Sequence, residues 1–411
     1  MMREMFLQRN HFTRRWLVWC VIASSLAMGQ THNKGQTQKK SAGPTESIVL
    51  QAESAREKGD IPASLRLYRR ALLEKPGWQQ GWWYYGSLLY DSNRYAQAAT
   101  ALRRLVRLNP KLGGAWALLG LSEFETRDFE SALKHLRKAK DSGVGDTGSL
   151  ENVADYHLAI LLNTHGEFER SRSLLSSLLL RGVNSEDLQV GLGMGLLRVP
   201  LLPSQLEPAK DALVHDAGNI AAFMAKKQWD QADAGFRQLL AKYPGTHFAH
   251  YAYGAMLATR GQEDLAKAQF REENVITPDS AVPYMEWAFL ESKAGKFQDA
   301  LPLAQKAVEL SSNSFVAHYL FGEALLATGG VSESVTQLEL ARRLAPDSPE
   351  IRYSLSRAYT KAGERDKARR EQTEFTKLQA NSQRKLREGE ELMRPSPDGG
   401  AAVPSLDPSS R

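Results

Sequence analysis

His247 and His250 stand three residues apart, a spacing that puts two imidazoles on one helix face and could begin a metal site. No third histidine or carboxylate follows at a useful spacing, so the pair does not complete one. His250 also shares its place, at intervals of 34 residues, with Tyr284 and His318, which points to packing between helices. His157 and His165 are isolated. Glu272 and Glu273 are neighbours, point in different directions on a helix, and read as a solvated face. Glu123 and Glu291 each interrupt an apolar stripe, but carboxylates from such distant segments do not converge on one substrate. Gly191-Leu192-Gly193-Met194-Gly195 lacks the preceding strand and following lysine of a phosphate loop, and reads as tight helix packing. Nucleophile elbows and dinucleotide fingerprints are absent. The one cysteine, Cys20, lies in the N-terminal leader, which excludes disulfide frameworks and zinc-thiolate sites from the rest. The expectation is therefore a chain with no catalytic residues, no cofactor and no metal.

These residues are positioned by a repeat. Trp82, Gly86 and Ala98 recur 34 residues later as Trp116, Gly120 and Ala132. Units begin near Thr45, Gln79, Gly113 and Asn152, then near Leu213, His247, Ala281, Phe315 and Pro349. Gly261, Gly295, Gly329 and Gly363 hold the same period where two amphipathic segments meet, and a turn there needs a residue that tolerates positive φ. Pro244, Pro278 and Pro346 close units, with Ser312 substituting once. Ala232, Ala266, Ala300 and Ala368 mark the closest crossing of paired helices, with Ser334 as the exception. Between 182 and 212 the register breaks. A glycine-rich apolar segment there is ended by Pro200, Pro203 and Pro208 and reads as a divergent junction, with a hinge or a protrusion as the alternative.

Trp, then Tyr-Gly or Leu-Gly, then Ala at a fixed period of 34 resembles the tetratricopeptide repeat (TPR) family. The resemblance implies an all-α fold, a right-handed superhelical solenoid of about nine TPR helical hairpins in two blocks. The blocks are 45–181 and 213–380, flanking the 182–212 junction. A charged capping helix continues to about 393, and a Pro-, Gly- and Ser-rich tail, 394–411, is expected to be disordered.

Residues 1–29 read as a signal peptide, with a basic start ending at Arg14-Arg15, an apolar run from Trp16 to about Met28, and small residues after it. Residues 30–44 read as a flexible linker. Export to a bacterial periplasm is the expected localisation, with anchoring in the inner membrane by an uncleaved signal as the alternative. Arg3, Arg9, Arg14 and Arg15 against Glu4 place +3 of the formal +6 in this leader. The remainder is small for a polyanion binder, so no nucleic-acid partner is expected.

In the TPR family the first helix of each unit lines a concave groove through its fifth, ninth and twelfth positions. Here the fifth positions hold Trp83, Ala117, Tyr251, Met285, Tyr319 and Tyr353. Ninth positions add Leu121 and Phe289, and twelfth positions add Tyr90, Phe124 and Leu326. Trp82, one residue before Trp83, belongs to the scaffold. The lysine and asparagine with which some relatives clamp a peptide carboxylate are absent. An aromatic groove suits an extended or helical apolar protein segment, unless close winding buries these side chains against neighbouring helices. Two functions follow: an exported adaptor binding a protein or peptide, or a structural subunit of a membrane-associated envelope assembly for polysaccharide export or outer-membrane biogenesis.

Overall fold

The computed structural model describes residues 44–145 and 148–392; the leader, most of the linker and the C-terminal tail lie outside them. Nineteen α-helices and no strands are present among the described residues. Nine hairpins account for eighteen. In order they are α1 (Pro44–Glu57) with α2 (Ile61–Glu74), α3 (Gln79–Asp91) with α4 (Tyr95–Leu108), α5 (Gly113–Glu125) with α6 (Phe129–Ser142), and α7 (Gly148–Thr164) with α8 (Phe168–Leu180). A single helix, α9 (Glu186–Leu196), precedes α10 (Asp211–Ala225) with α11 (Trp229–Lys242). The last four are α12 (Ala249–Thr259) with α13 (Glu263–Ile276), α14 (Ala281–Lys293) with α15 (Phe297–Leu310), α16 (Phe315–Thr328) with α17 (Val331–Leu344), and α18 (Pro349–Lys361) with α19 (Arg365–Leu392). No described helix is long and apolar enough to cross a membrane.

Each hairpin turns through one left-handed residue. Gly261, Gly295, Gly329 and Gly363 have φ of 75°, 74°, 97° and 80°, and Gly59 and Gly166 take the same role. Asn93, Arg127 and Lys227 adopt it without glycine's freedom, at φ of 56°, 63° and 57°. The turn geometry is thus kept even where the side chain opposes it.

Past the turn, the two helices approach until there is no room for a methyl group. A Cβ on Gly86, Gly120, Gly254 or Gly322 would lie 2.9, 2.7, 2.6 or 2.6 Å from Leu102, Leu136, Phe270 or Leu338, sixteen residues on. In the α14–α15 hairpin, Ala288 and Ala304 take these two places and both are fully buried, so a larger first residue is matched by a smaller second. The neighbouring small position is also closed: Ala98, Ala132, Ala232, Ala266 and Ala300 have no exposure. Ser334 substitutes there by donating its hydroxyl to the Gly322 carbonyl at 2.7 Å.

Four of the hairpins are then latched to the one before by the fourth residue of the first helix. The indole N–H groups of Trp82 and Trp116 donate to the closing carbonyls of Pro76 and Pro110 at 2.9 and 2.8 Å. Two hairpins late in the chain use other chemistry at the same place. His318 Nε2 meets the Ser312 carbonyl at 2.9 Å, and the Arg352 guanidinium donates to that of Pro346. The same residues reach nineteen positions forward: His250 and His318 Nδ1 to the side-chain amides of Gln269 and Gln337, both at 2.7 Å. His250 is a packing residue.

The junction contains one helix where the array elsewhere has two. α9 lies directly on α10, since a Cβ on Gly193 would sit 1.9 Å from the Val214 carbonyl oxygen and one on Gly218 2.2 Å from that of Gln189. Two short 3-10 turns, Pro203–Gln205 and Pro208–Lys210, follow, and Val199, Leu201 and Leu206 pack on Val190, Met194 and Val214. The chain divides into two compact units at Ala249/His250, not at the junction. The 182–212 segment is internal to the first, because the glycine-mediated contact fuses α9 to the next hairpin.

Gly322→Ala is expected to cost about 1–3 kcal/mol by overpacking against Leu338. Gly322→Ala with Leu338→Ala reproduces the Ala288/Ala304 pairing and should be less destabilised than the sum of the single changes. A double-mutant cycle on thermal or urea unfolding reads this coupling.

Candidate functional site

The surface to test is the first-helix face, and the structure sorts its ten predicted residues by burial. Tyr90, Leu121, Tyr251 and Leu326 are closed, at 6%, 1%, 8% and 1% exposure. Trp83, Phe124, Met285 and Tyr319 are half-buried. Phe289 and Tyr353 stand open at 50% and 46%. Both open residues belong to the second unit.

In the first unit the aromatic side chains are consumed by one another. Tyr90 meets Tyr95 edge-on at 5.2 Å, and Phe124 meets Phe129 and the His157 ring at 5.3 and 4.6 Å. The tip of the Trp83 ring lies against the backbone of Gly114 on the next first helix. His157 hydrogen-bonds through Nδ1 to the Val153 carbonyl at 2.8 Å, and burial pushes its pKa down, so the ring is a neutral packing element. Burial also raises the Tyr90 phenol well above its ordinary value. Asp91, next to it at the end of α3, is raised to about 7 by burial, and its Oδ1 has no hydrogen-bond partner.

The second unit differs. Tyr251 is tilted over Phe270 with ring centroids 6.1 Å apart, and Phe270 fills the space left by Gly254. Tyr251 is therefore core and not a groove contact. Beyond it, on α14, α16 and α18, Phe289, Glu323 and Arg357 occupy successive ninth positions, with Met285, Tyr319 and Tyr353 at the fifths. Arg357 pairs with Glu323 at 3.1 Å and lies 5.7 Å from the Tyr353 ring centroid. Tyr353 also packs on Phe375 of α19 at 5.4 Å. The result is an open face with an aromatic group at each end and an ion pair between. Phe315 and Val316, at the start of α16, are exposed too, at 44% and 37%. Periodicity missed them because they precede the packed stripe.

Glu272 and Glu273 do not share a solvated face. Glu272 is exposed, but Glu273 is fully buried and accepts from the Tyr251 N–H at 3.0 Å and the Thr277 hydroxyl at 3.0 Å. It satisfies an unpaired donor in the first turn of α12, where a helix favours negative charge. Glu123 and Glu291 also have structural partners. Glu123 takes Arg103 and His135 at 2.9 and 2.6 Å, and Glu291 takes Lys267 at 3.1 Å and the Trp287 indole at 3.0 Å. Asp155 pairs with Lys140 and Arg181, and Glu371 with Arg342 and Arg352. In all four cases one cation comes from the second helix of the preceding hairpin. No group of three His, Cys, Asp or Glu among the described residues is arranged to hold a metal.

Tetratricopeptide repeat profiles match residues 49–111 and 86–147, 292–350, and 220–246. A curated relative, anaphase-promoting complex subunit 3 of Schizosaccharomyces pombe, is 19% identical over 135 residues, 33% of this chain and 20% of that protein. The chain thus spans about a fifth of that relative's length. Among solved structures, MamA from Desulfovibrio magneticus is 16% identical, with 42% of this chain and 97% of that one covered at a TM-score of 0.39. YrrB, described as a protein with an unusual peptide-binding site, is 20% identical, with 44% and 94% covered at 0.38.

Two predictions follow from this geometry. Asp91 has a folded-state pKa above its unfolded value near 3.8, so its stabilising share is full below about pH 4 and is lost as pH rises through about 7. Asp91→Asn removes that loss and is expected to stabilise the fold by on the order of 2 kcal/mol near pH 8, with no gain near pH 4, in urea unfolding at both values. Tyr251→Ala should lower the unfolding free energy by the amount of a core truncation, about 2–4 kcal/mol, whereas Tyr353→Ala should cost under about 1 kcal/mol, both read in urea unfolding.

Proposed function

We propose, for a chain that belongs to the tetratricopeptide repeat family, that it is an exported, non-enzymatic adaptor that captures a protein segment on the first-helix face of its second unit. Members of the family act in protein interaction and as scaffolds, and the face described above supplies the specific reading. The observation that carries it is the half-exposure of Phe289 and Tyr353, where the other apolar residues at fifth, ninth and twelfth positions are closed or half-closed. Aromatic side chains left open at ordered positions provide apolar contact area at little cost in side-chain entropy. The Glu323–Arg357 pair between them offers charged groups to the backbone or ends of a bound segment. A short amphipathic helix or an extended strand with two apolar anchors suits this arrangement.

Export rests on the leader, whose basic start, apolar run of about thirteen residues and small residues suit a signal peptidase. The absence of a disulfide requirement is compatible with an oxidising compartment and does not demand one.

A photoreactive phenylalanine analogue placed at 289 or 353 should crosslink the partner in cells, while one at 265, where Leu265 is exposed at 54% on a second helix, should not. Phe289→Ala with Tyr353→Ala should weaken affinity for the crosslinked segment at least about tenfold, with the melting temperature nearly unchanged. Equal crosslinking from 265 would overturn the assignment of the face.

A further inference from the structure

The second helices of the first three hairpins carry an unusual charge. α2, α4 and α6 contain ten lysines and arginines against Glu74, Glu130 and Asp141 alone. Three second helices of the other unit, α13, α15 and α17, carry no such excess: α13 has Glu263, Asp264, Glu272 and Glu273 against Lys267 and Arg271.

Structural duty explains only some of the ten. Arg103, Arg137 and Lys140 turn toward neighbouring hairpins and pair with Glu123, Glu167 and Asp155. One residue beyond the first two, Arg104 and Lys138 stand exposed with no ion pair or hydrogen bond among the described residues, as does Arg70 one period earlier. The three are spaced by 34, one per hairpin, so the repeat itself lines them up. Arg66, Arg107 and Lys134 extend the same row, again exposed and without an ion pair among the described residues. Beside Arg69 and Arg70, Leu73 is exposed at 78%. Like charges held together with no counter-charge repel, so the row gains free energy when an anionic surface covers it.

We propose that this outer face of α2, α4 and α6 docks on the anionic headgroups of a lipid bilayer. Three observations favour lipid over other polyanions. No aromatic side chain is exposed on these three helices, so the stacking on which single-stranded nucleic acid binding relies is missing. Leu73 projects among the cations and supplies the apolar contact that an interfacial surface inserts at the headgroup boundary. The row also lies on the hairpins next to the leader. In the form where the leader stays uncleaved, its apolar run ends about fifteen residues before α1 along the chain. A bilayer entered by that run is thereby kept close to the row, which raises its effective concentration there. This face is separate from the aromatic face of the second unit and does not depend on the adaptor reading.

Full-length protein sedimented with phosphatidylcholine vesicles, with and without phosphatidylglycerol, separates the two contributions. The leader binds through its apolar run, and its four arginines add a share that also needs phosphatidylglycerol but is the same in every variant of the row. The row should add an increment that needs phosphatidylglycerol and is screened at high salt. Replacing Arg70, Arg104, Arg107 and Lys138 with glutamine should reduce that increment at least about tenfold. Arg70, Arg104 and Arg107 changed to lysine, with Lys138 kept, should retain it, since the attraction is to charge and not to a planar fork. Thermal melts of both variants should match the parent, because none of the four side chains has a partner to lose. An increment that is absent, or that survives the glutamine changes, overturns the proposal. Binding of duplex DNA that the glutamine variant loses, without any phosphatidylglycerol increment, would reassign the face to nucleic acid.

Discussion

The closest approach of the two helices in each hairpin is the constraint on which the rest of this structure depends. A glycine or alanine on the first helix admits a leucine, phenylalanine or alanine of the second to within van der Waals contact of its backbone. That contact fixes the separation and rotation of the pair. Rotation in turn decides which positions of the first helix meet the next hairpin and which are left to solvent. The left-handed turn residue serves the same end, and its retention by Asn93, Arg127 and Lys227 shows that hairpin geometry prevails over local backbone preference.

Hairpins are joined by a different kind of interaction. Apolar burial between neighbours is general, but polar groups set the register: a fourth-position donor on the previous unit's closing carbonyl, and a buried carboxylate taking a cation from the preceding second helix. Buried charges that lose a partner are costly, on the order of 3–5 kcal/mol. Such pairs penalise a hairpin that slides or tilts on its neighbour more than apolar contacts would. Glu123, Asp155, Glu291 and Glu371 thus act as fixed points in an array whose stability is otherwise a sum of nearest-neighbour terms.

Much of this was legible because it is periodic. The turn residues, the crossing alanines and the closing prolines each repeat at 34, and all sit where the period places them. The packing role of His250 was legible for the same reason. Burial on the first-helix face was not. Position five is closed at Tyr251 and open at Tyr353, since Phe270 lies under the first ring while Tyr353 is flanked by Phe375 of the solvent-lapped α19 and by Arg357. A position in a repeat says which way a side chain points and not how near the next helix comes. Glu273 was misread for a related reason: adjacency to Glu272 fixes their directions, but only the neighbouring helix N-terminus makes one of them a buried acceptor. The division at Ala249/His250 was hidden as well, because the glycines that look like a break between 182 and 212 are what bring α9 and α10 into contact.

Aromatic content alone is therefore a poor guide to where this array engages other molecules. The first unit is the richer in aromatic rings, yet it spends them internally on Tyr90–Tyr95, Phe124–His157 and Tyr68–Trp78 contacts. What remains on its surface is charge, carried by second helices whose cations exceed their structural partners. The second unit reverses this balance. Its fourth-position residues are histidine, tyrosine and arginine in place of tryptophan, its second helices carry more acid, and its open aromatic side chains include Phe289, Phe315 and Tyr353. Once the hairpin contacts have taken what they need, the groups left over differ in kind between the units: cations on the first, aromatic groups beside an ion pair on the second.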